Sequence, residues 1–264
     1  MYAEVQSVER LTPGLIRIVF FGGELENFES TLFTDQYING YFLPESADYL
    51  VPFDLAEVRS LGDGLRPRPR RVTVRKWDDT NRQLTVDFVV HGQAGYAGPW
   101  AQRAQPGDRL QFKGPSGSYR PNPDVDWHLF AGDETALPAI SASLESLSSE
   151  SKCTVFVLVD NKSHEVNVDT EAQVEFCWLH RESAINPTNA LLEALKEYEF
   201  KNGSFDVFVH GEAGEVRALR KYLLSEYAVD PASSSISPYW RRDHTDEAWR
   251  EIKKEWLADQ AADV

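Results

Sequence analysis

Three arginines and a threonine crowd one short run, Arg70-Arg71-Val72-Thr73-Val74-Arg75. Side chains alternate across a strand, so two or three of these cations would share one small surface. An apolar run, Leu84 to Val90, follows and ends on His91-Gly92. Next come a glycine-rich turn, Gly92 to Gly98, and a short helical stretch carrying Trp100. Guanidinium groups make charge-assisted hydrogen bonds to phosphate oxygens, a hydroxyl adds another, and a helix N-terminus points backbone N–H groups at an anion. In this order the pieces suit a phosphate-bearing cofactor. Taken singly, the arginines read as a solvated or ion-paired face and the Gly-x-x-Gly as a turn.

Two further turns follow apolar strands, Gly132-Asp133-Glu134-Thr135-Ala136-Leu137-Pro138 and His210-Gly211-Glu212-Ala213-Gly214. In open α/β sheets ligands bind at the carboxyl ends of strands, where such turns lie. The plain alternative is an ordinary strand-to-helix turn with Thr135 as its cap. Near the end, Tyr239-Trp240-Arg241-Arg242 precedes Thr245-Asp246-Glu247 and Trp249, a cluster that reads either as docking anchors or as substrate-binding charge. His128, His164, His180, His210 and His244 show no ligand spacing, so no metal site is expected. Cys153 and Cys177 lie inside apolar runs and read as buried free thiols.

The elements that carry these residues change character along the chain. Up to about residue 118, short strands alternate with turns: Tyr2 to Val8 and Leu15 to Phe21 about Thr12-Pro13-Gly14, then Tyr37 to Leu43, Val72 to Trp77, Leu84 to Val90 and Arg109 to Lys113. Six strands with one inserted helix imply a small antiparallel barrel. The proline-rich segment 44–69 reads as a long loop. After Pro121-Asn122-Pro123, apolar strands alternate with amphipathic helices, at Trp127 to Ala131, Cys153 to Val159, Val174 to Leu179 and Asp206 to His210. That pattern implies a parallel sheet covered on both faces. A helix from His244 to about Asp259 closes the chain. The expected domains are 1–121, a β-barrel, and 122–264, an α/β domain with a tail helix.

Composition sets limits. The 264 residues carry 42% hydrophobic side chains and seven Trp, enough for two real cores. A net charge of −15 argues against nucleic acid as a partner, since that affinity rests on cations neutralising phosphates. It also makes clustered arginines conspicuous, because positive potential is held there against the global field. The first residues contain no apolar leader and no window is apolar enough to span a bilayer, so a cytoplasmic protein without membrane insertion is expected.

The first half resembles the flavin-binding core of the ferredoxin reductase superfamily, in its siderophore-interacting branch. That branch has Arg-x-Tyr-Thr-x-Arg, Asp-Phe-Val-x-His-Gly, Gly-Pro-Ala-Ser, Trp-Ala, Pro-Gly-Asp and Gly-Pro-x-Gly. Here these read Arg70 to Arg75, Asp87 to Gly92, Gly95 to Gly98, Trp100-Ala101, Pro106-Gly107-Asp108 and Gly114 to Gly117. Val72 replaces the flavin-stacking Tyr, and Tyr96 and Gly98 replace the Pro and Ser of the phosphate turn. The second half matches through Ala-Gly-Asp-Glu-Thr-Ala (131–136), Val-Arg-Ala-Leu-Arg (216–220) and the Tyr-Trp-Arg-Arg ending.

The resemblance implies FAD on the barrel, held by Arg70, Val72, Thr73, Asp87, His91, Gly92, Gly95, Ala97 and Gly98. It implies NAD(P)H as co-substrate at Gly132, Asp133, Thr135, Ala136, Glu212 and Ala213. A ferric siderophore would meet Asn39, Arg75, Trp240, Arg241 and Arg242, with Trp240 near the flavin and Asn39 where relatives often carry Lys. The flavin would carry the chemistry, so no catalytic side chain is expected. The implied activity is FAD-dependent reduction of ferric siderophores, releasing Fe(II) in the cytoplasm. NADH is the favoured donor because Asp160 closes the second strand of the nicotinamide domain; a ferredoxin is the other candidate donor. Two alternatives stay open: a non-catalytic siderophore-binding or iron-handling protein, and a ferredoxin-linked general flavin reductase.

Overall fold

The structure is a computed structural model describing residues 1–90, 92 and 95–261, so His91 lies outside the described residues. The chain forms two compact units, Met1–Tyr119 and Arg120–Val264.

The first unit is a closed antiparallel barrel of β1 (Tyr2–Thr12), β2 (Leu15–Phe21), β3 (Tyr37–Phe42), β4 (Arg68–Asp78), β5 (Gln83–Val89) and β6 (Arg109–Ser116), in spatial order β1-β2-β5-β4-β3-β6. Period-two alternation builds it. Ile16, Ile18 and Phe20 of β2, Val72 and Val74 of β4, Leu84, Val86 and Phe88 of β5, and Leu110 and Phe112 of β6 all point into one core. Helix α2 (Ala97–Arg103) sets Trp100 against this core, with ring centroids 5.6 Å from Phe42 and 5.7 Å from Phe88. The antiparallel six-stranded barrel and its helix between β5 and β6 are therefore as expected from the sequence.

The proline-rich segment 44–69 is more ordered than a loop. It contains α1 (Leu55–Arg59), capped where Ala56 N donates to Asp54 Oδ1 at 2.6 Å. Just before it, Phe53 exchanges two 2.9 Å hydrogen bonds with the Gln111 side chain of β6. The segment thus covers one end of the outer barrel face.

The second unit is a parallel sheet in the order β11-β10-β7-β8-β9, built from β7 (Trp127–Asp133), β8 (Lys152–Val159), β9 (Gln173–His180), β10 (Phe205–Glu212) and β11 (Ser235–Trp240). Every residue of β7 is buried, as a strand covered on both faces requires. Helices α3 (Leu137–Glu145), α4 (Ala190–Glu197), α5 (Ala213–Tyr227) and α6 (Asp246–Ala261) complete it. The order steps outward from β7 through β8 to β9, then returns to the other side of β7 with β10. That reversal puts the carboxyl ends of β7 and β10 side by side, the place where open α/β sheets hold ligands. Near the C-terminus, Trp249 of α6 is buried and the Lys253 ammonium donates to the Pro238 carbonyl at 2.7 Å. No described helix is long and apolar enough to cross a membrane.

Candidate functional site

The barrel separates the arginines that the sequence put in one run. Arg68 and Arg70 have the parity of the core-facing residues and emerge beside α2, where their guanidinium carbons lie 5.8 and 5.1 Å from the centre of the Tyr96 ring. Arg71 and Thr73 face outward. Arg75 lies beyond a bulge in the β4–β5 pairing and is buried.

Three expected ligand residues turn out to serve the fold. Val72 faces the barrel interior beside Val74, opposite Ile38, because its parity matches the core; it offers no face to a ligand outside. Asp87 points outward but is 5% exposed, clasped by Arg17 through two 2.7 Å hydrogen bonds and approached by Arg75 Nε at 3.8 Å. Arg75 is itself buried, its Nε 3.8 Å from a carboxylate that Arg17 already clasps, so it presents little charge to a substrate.

What remains suits an anionic dinucleotide. Two guanidinium groups gather at Tyr96, the residue before α2, and the Thr73 hydroxyl makes no hydrogen bond to protein among the described residues. Gly92 and Gly95 both have positive φ, 61° and 84°. A Cβ on Gly98 would sit 3.2 Å from the Val89 carbonyl oxygen, so α2 packs closely on β5 only without one. Ala97 opens the helix. These residues fit FAD in charge and in hydrogen-bonding capacity.

In the second unit the two turns meet. Gly132 pairs with His210 across β7 and β10, and a Cβ on Gly132 would run into the His210 carbonyl oxygen. Asp133 is fully buried and accepts hydrogen bonds from Thr135 N and Oγ1, from Glu212 N at 2.9 Å, and from the Trp240 indole at 2.7 Å. One carboxylate therefore ties together the loop after β7, the end of β10 and the end of β11. Glu212 caps α5, accepting from Gly214 N at 2.7 Å and Glu215 N at 3.1 Å.

Several expectations are corrected by this packing. Asp133 and Glu212 spend their oxygens on the protein's own donors, and Ala136 and Ala213 are buried in the fold. Thr135 is no helix cap: α3 starts after Ala136 without a side-chain cap, because the Thr135 hydroxyl is bound to Asp133. The Trp240 indole N–H is spent on Asp133. Arg242 is held by Glu212 through its backbone N–H and by Glu215 through its guanidinium at 3.2 Å, which fixes its position at the start of α5. Arg241 makes no ion pair among the described residues and lies 5.8 Å over the Trp249 ring.

Sequence reasoning missed three features. Arg181 bridges Glu134 at 2.7 Å and Asp160 at 3.0 Å, at the carboxyl ends of β7 and β8. Burial, with Asp133 adding to it, pushes the Glu134 carboxyl above its usual range against the opposing pull of Arg181. Arg68 joins Arg70 at Tyr96, and Arg71 sits 5.1 Å over the Tyr37 ring. The arginines were visible in the sequence, but their partners lie on strands distant along the chain.

An antiparallel six-stranded barrel followed by a parallel α/β sheet is a fold shared with the ferredoxin reductase of carbazole 1,9a-dioxygenase, which superposes with a TM-score of 0.62 at 17% identity. Residues 4–119 match the siderophore-interacting FAD-binding domain and residues 125–243 match the siderophore-interacting protein model, and the chain belongs to the siderophore-interacting protein family. It is 34% identical over 256 residues to the ferric vibriobactin reductase ViuB of Vibrio cholerae, covering 91% of this chain and 89% of that protein. To an NADPH-dependent ferric-chelate reductase of Escherichia coli it is 31% identical over 244 residues, covering 89% and 91%. The crystal structure of a siderophore utilization protein from T. fusca superposes with a TM-score of 0.81 at 34% identity, covering 93% of this chain and 94% of that one.

Proposed function

We propose that this protein reduces ferric siderophores, taking a hydride from a nicotinamide and delivering two single electrons to two Fe(III) chelates: NAD(P)H + 2 Fe(III) → NAD(P)+ + 2 Fe(II) + H+. When bound, FAD supplies the conversion between two-electron and one-electron transfer. The residues proposed to hold it are Arg68 and Arg70 toward its phosphates, Thr73 as a hydroxyl partner, and the backbone of Gly92, Gly95, Ala97 and Gly98. The observation that carries this reading is the pair of guanidinium groups on Tyr96 at the start of α2, in a unit that matches the family's FAD-binding domain. For the nicotinamide we propose the crevice of the second unit at the carboxyl ends of β7 and β10, shaped by Gly132 and Thr135 and braced from below by Asp133 and Glu212.

NADH is the proposed donor. The Asp160 carboxylate follows β8 and is 57% exposed; the Arg181 guanidinium beside it is held between Asp160 and Glu134, and His164 Nε2 lies 3.9 Å away. That balance favours a ribose hydroxyl over a 2′-phosphate. The E. coli relative named for NADPH makes the donor comparison informative. A ferredoxin as donor is the competing reading. Iron release in the cytoplasm belongs to the same proposal.

The non-catalytic alternative is favoured by Val72, in place of the family's flavin-stacking Tyr, and by Asn39, where relatives often carry Lys. With Val72 in the barrel core, that substitution no longer argues against flavin use. The test is anaerobic: purified protein given FAD should develop the flavin absorption band. NADH should bleach it faster than NADPH, and an added ferric siderophore should restore it as Fe(II) is trapped by a colour-forming chelator. Protein that takes up no FAD, or whose bound FAD neither donor reduces, would overturn the reading or point to ferredoxin respectively.

A further inference from the structure

The parallel sheet of the second unit ends on one side in a strand whose outer edge is open. β9 pairs with β8 alone, over eight residues and without a register shift. Every β8 residue after Lys152 is buried, but no residue of β9 is. Gln173 N donates to the Ser151 carbonyl and Arg181 N to the Val159 carbonyl, so the odd-numbered residues turn their backbone groups to β8. Val174, Phe176 and Trp178 turn theirs outward, and among the described residues these groups make no hydrogen bond. The connection from β8 crosses the sheet face instead of the edge. Glu165 Oε1 lies 2.8 Å from His180 Nε2, and the Thr170 hydroxyl donates to the Leu144 carbonyl of α3 at 2.6 Å.

The opposite edge of the sheet is protected. β11 has a register shift against β10 and contains Pro238, whose carbonyl accepts from Lys253 of α6 at 2.7 Å. β9 has none of the usual safeguards against edge pairing, which are short length, lysine, proline and bulges. Its side chains are mostly apolar. Phe176 and Trp178 stack on one face, with ring centroids 5.5 Å apart and planes 4° from parallel, and Cys177 and Leu179 lean on the core from the other. A two-fold axis through Cys177 makes this strand its own complement. In an antiparallel pair about that axis, Phe176 faces Trp178 of the second copy, Val174 faces its His180, Glu175 its Leu179 and Gln173 its Arg181. No like charges are then opposed. The outward N–H and C=O groups of Phe176 and Trp178 answer each other, and the aromatic rings of both copies meet on one face.

We propose that the β9 edge is an interface between two copies of this chain, paired antiparallel about Cys177 so that two five-stranded sheets join into one. The occupant is a second copy because the same sequence run in the opposite direction supplies aromatic against aromatic and sets each charge against a neutral residue. An interface of this size holds a dimer weakly, so association falls at roughly micromolar concentrations. Opposed residues at a non-hydrogen-bonded position have Cα atoms about 4.5 Å apart, within the range a disulfide spans. Cys177, a free thiol, therefore reports the register.

Sedimentation equilibrium of the whole chain, from about 1 to about 200 μM, tests this. The parent should pass from monomer toward dimer as concentration rises. Phe176→Pro removes an N–H that points away from β8, so the ladder to β8 is kept while the edge is blocked. Trp178→Lys places a charge on the same edge and serves as a second variant should the proline disturb folding, which a thermal melt of each checks. Either folded variant should raise the dimer dissociation constant at least about tenfold. In the parent, the oxidant diamide should take two electrons and two protons from a pair of Cys177 thiols, forming one disulfide and the corresponding hydrazine. The linked dimer should appear on a non-reducing gel and be absent in Cys177→Ser. A parent that stays monomeric over the whole range overturns the proposal, as does a dimer that both folded variants leave unchanged. A dimer that diamide never links through Cys177 overturns the register and with it the proposed interface.

Discussion

At position 72 a branched side chain is packed against Val74 and across from Ile38 inside the barrel, 9% exposed. A tyrosine there has no outward face to occupy, so Val72→Tyr should overpack the core and cost about 1–3 kcal/mol of stability, read from urea unfolding. A variant as stable as the parent with tighter FAD binding would show that the ring swings to the ligand side. Position 70 is different. Its guanidinium carbon stands 5.1 Å from the Tyr96 ring beside the start of α2, and losing one charge-assisted hydrogen bond costs about 1.5–3 kcal/mol. Arg70→Ala should therefore weaken FAD about 10- to 150-fold in a fluorescence titration while leaving the melting temperature nearly unchanged. An unchanged affinity would remove Arg70 from the cofactor site.

The junction of β7, β10 and β11 is where elements are fastened by buried charge. Asp133 holds all three, and Glu212 and Glu215 at the start of α5 hold the segment after β11 through Arg242. This crowding raises the Glu215 carboxyl from its ordinary 4.5 to about 8, chiefly by burial and then by the Asp133 charge, against the pull of Arg181 and Arg242. Arg242 is part-exposed, so its attraction is screened and does not offset the burial. Between about 4.5 and 8 the folded protein keeps a proton that the unfolded chain has released. This group's contribution to stability is accordingly greatest at the acid end of that window, declines as pH rises through it, and changes no further above about 8. Glu215→Gln should flatten that decline, giving a chemical-denaturation midpoint for the second unit that varies less between pH ~5 and ~8.5 than in the parent. An identical pH profile in parent and variant would mean Glu215 titrates normally.

At the scale of the molecule, two units with separate cores meet the chain at Tyr119–Arg120, and every residue proposed to hold FAD lies in the first. A barrel closed on itself leaves no sheet edge unpaired, and its core is continuous from β1 to β6. A fragment of residues 1–119 should therefore fold cooperatively and bind FAD, while showing no bleaching of the bound flavin by NADH, because the proposed nicotinamide crevice is missing. An unfolded fragment in circular dichroism, or one that NADH reduces as fast as the whole chain, would contradict this division of labour.

Local pattern made much of this chain legible. Alternation such as Leu84, Val86, Phe88 and the run of buried residues in β7 are dictated by burial on one face or two, and these give a barrel followed by a parallel sheet. Motif order from Arg70 to Gly117 was enough to point to the family and to FAD. What the sequence left undecided was the direction and company of individual side chains. Strands β3 and β6 are more than sixty residues apart, so no local pattern reveals that Asn39 lies between Arg71 and Lys113. The same holds for Asp87, whose partners Arg17 and Arg75 reach it from the two strands flanking β5, and for Asp133, which gathers donors from β10 and β11. Which arginine stays exposed and which is buried against a carboxylate is set by barrel closure and sheet order, and those exist only once distant strands have paired.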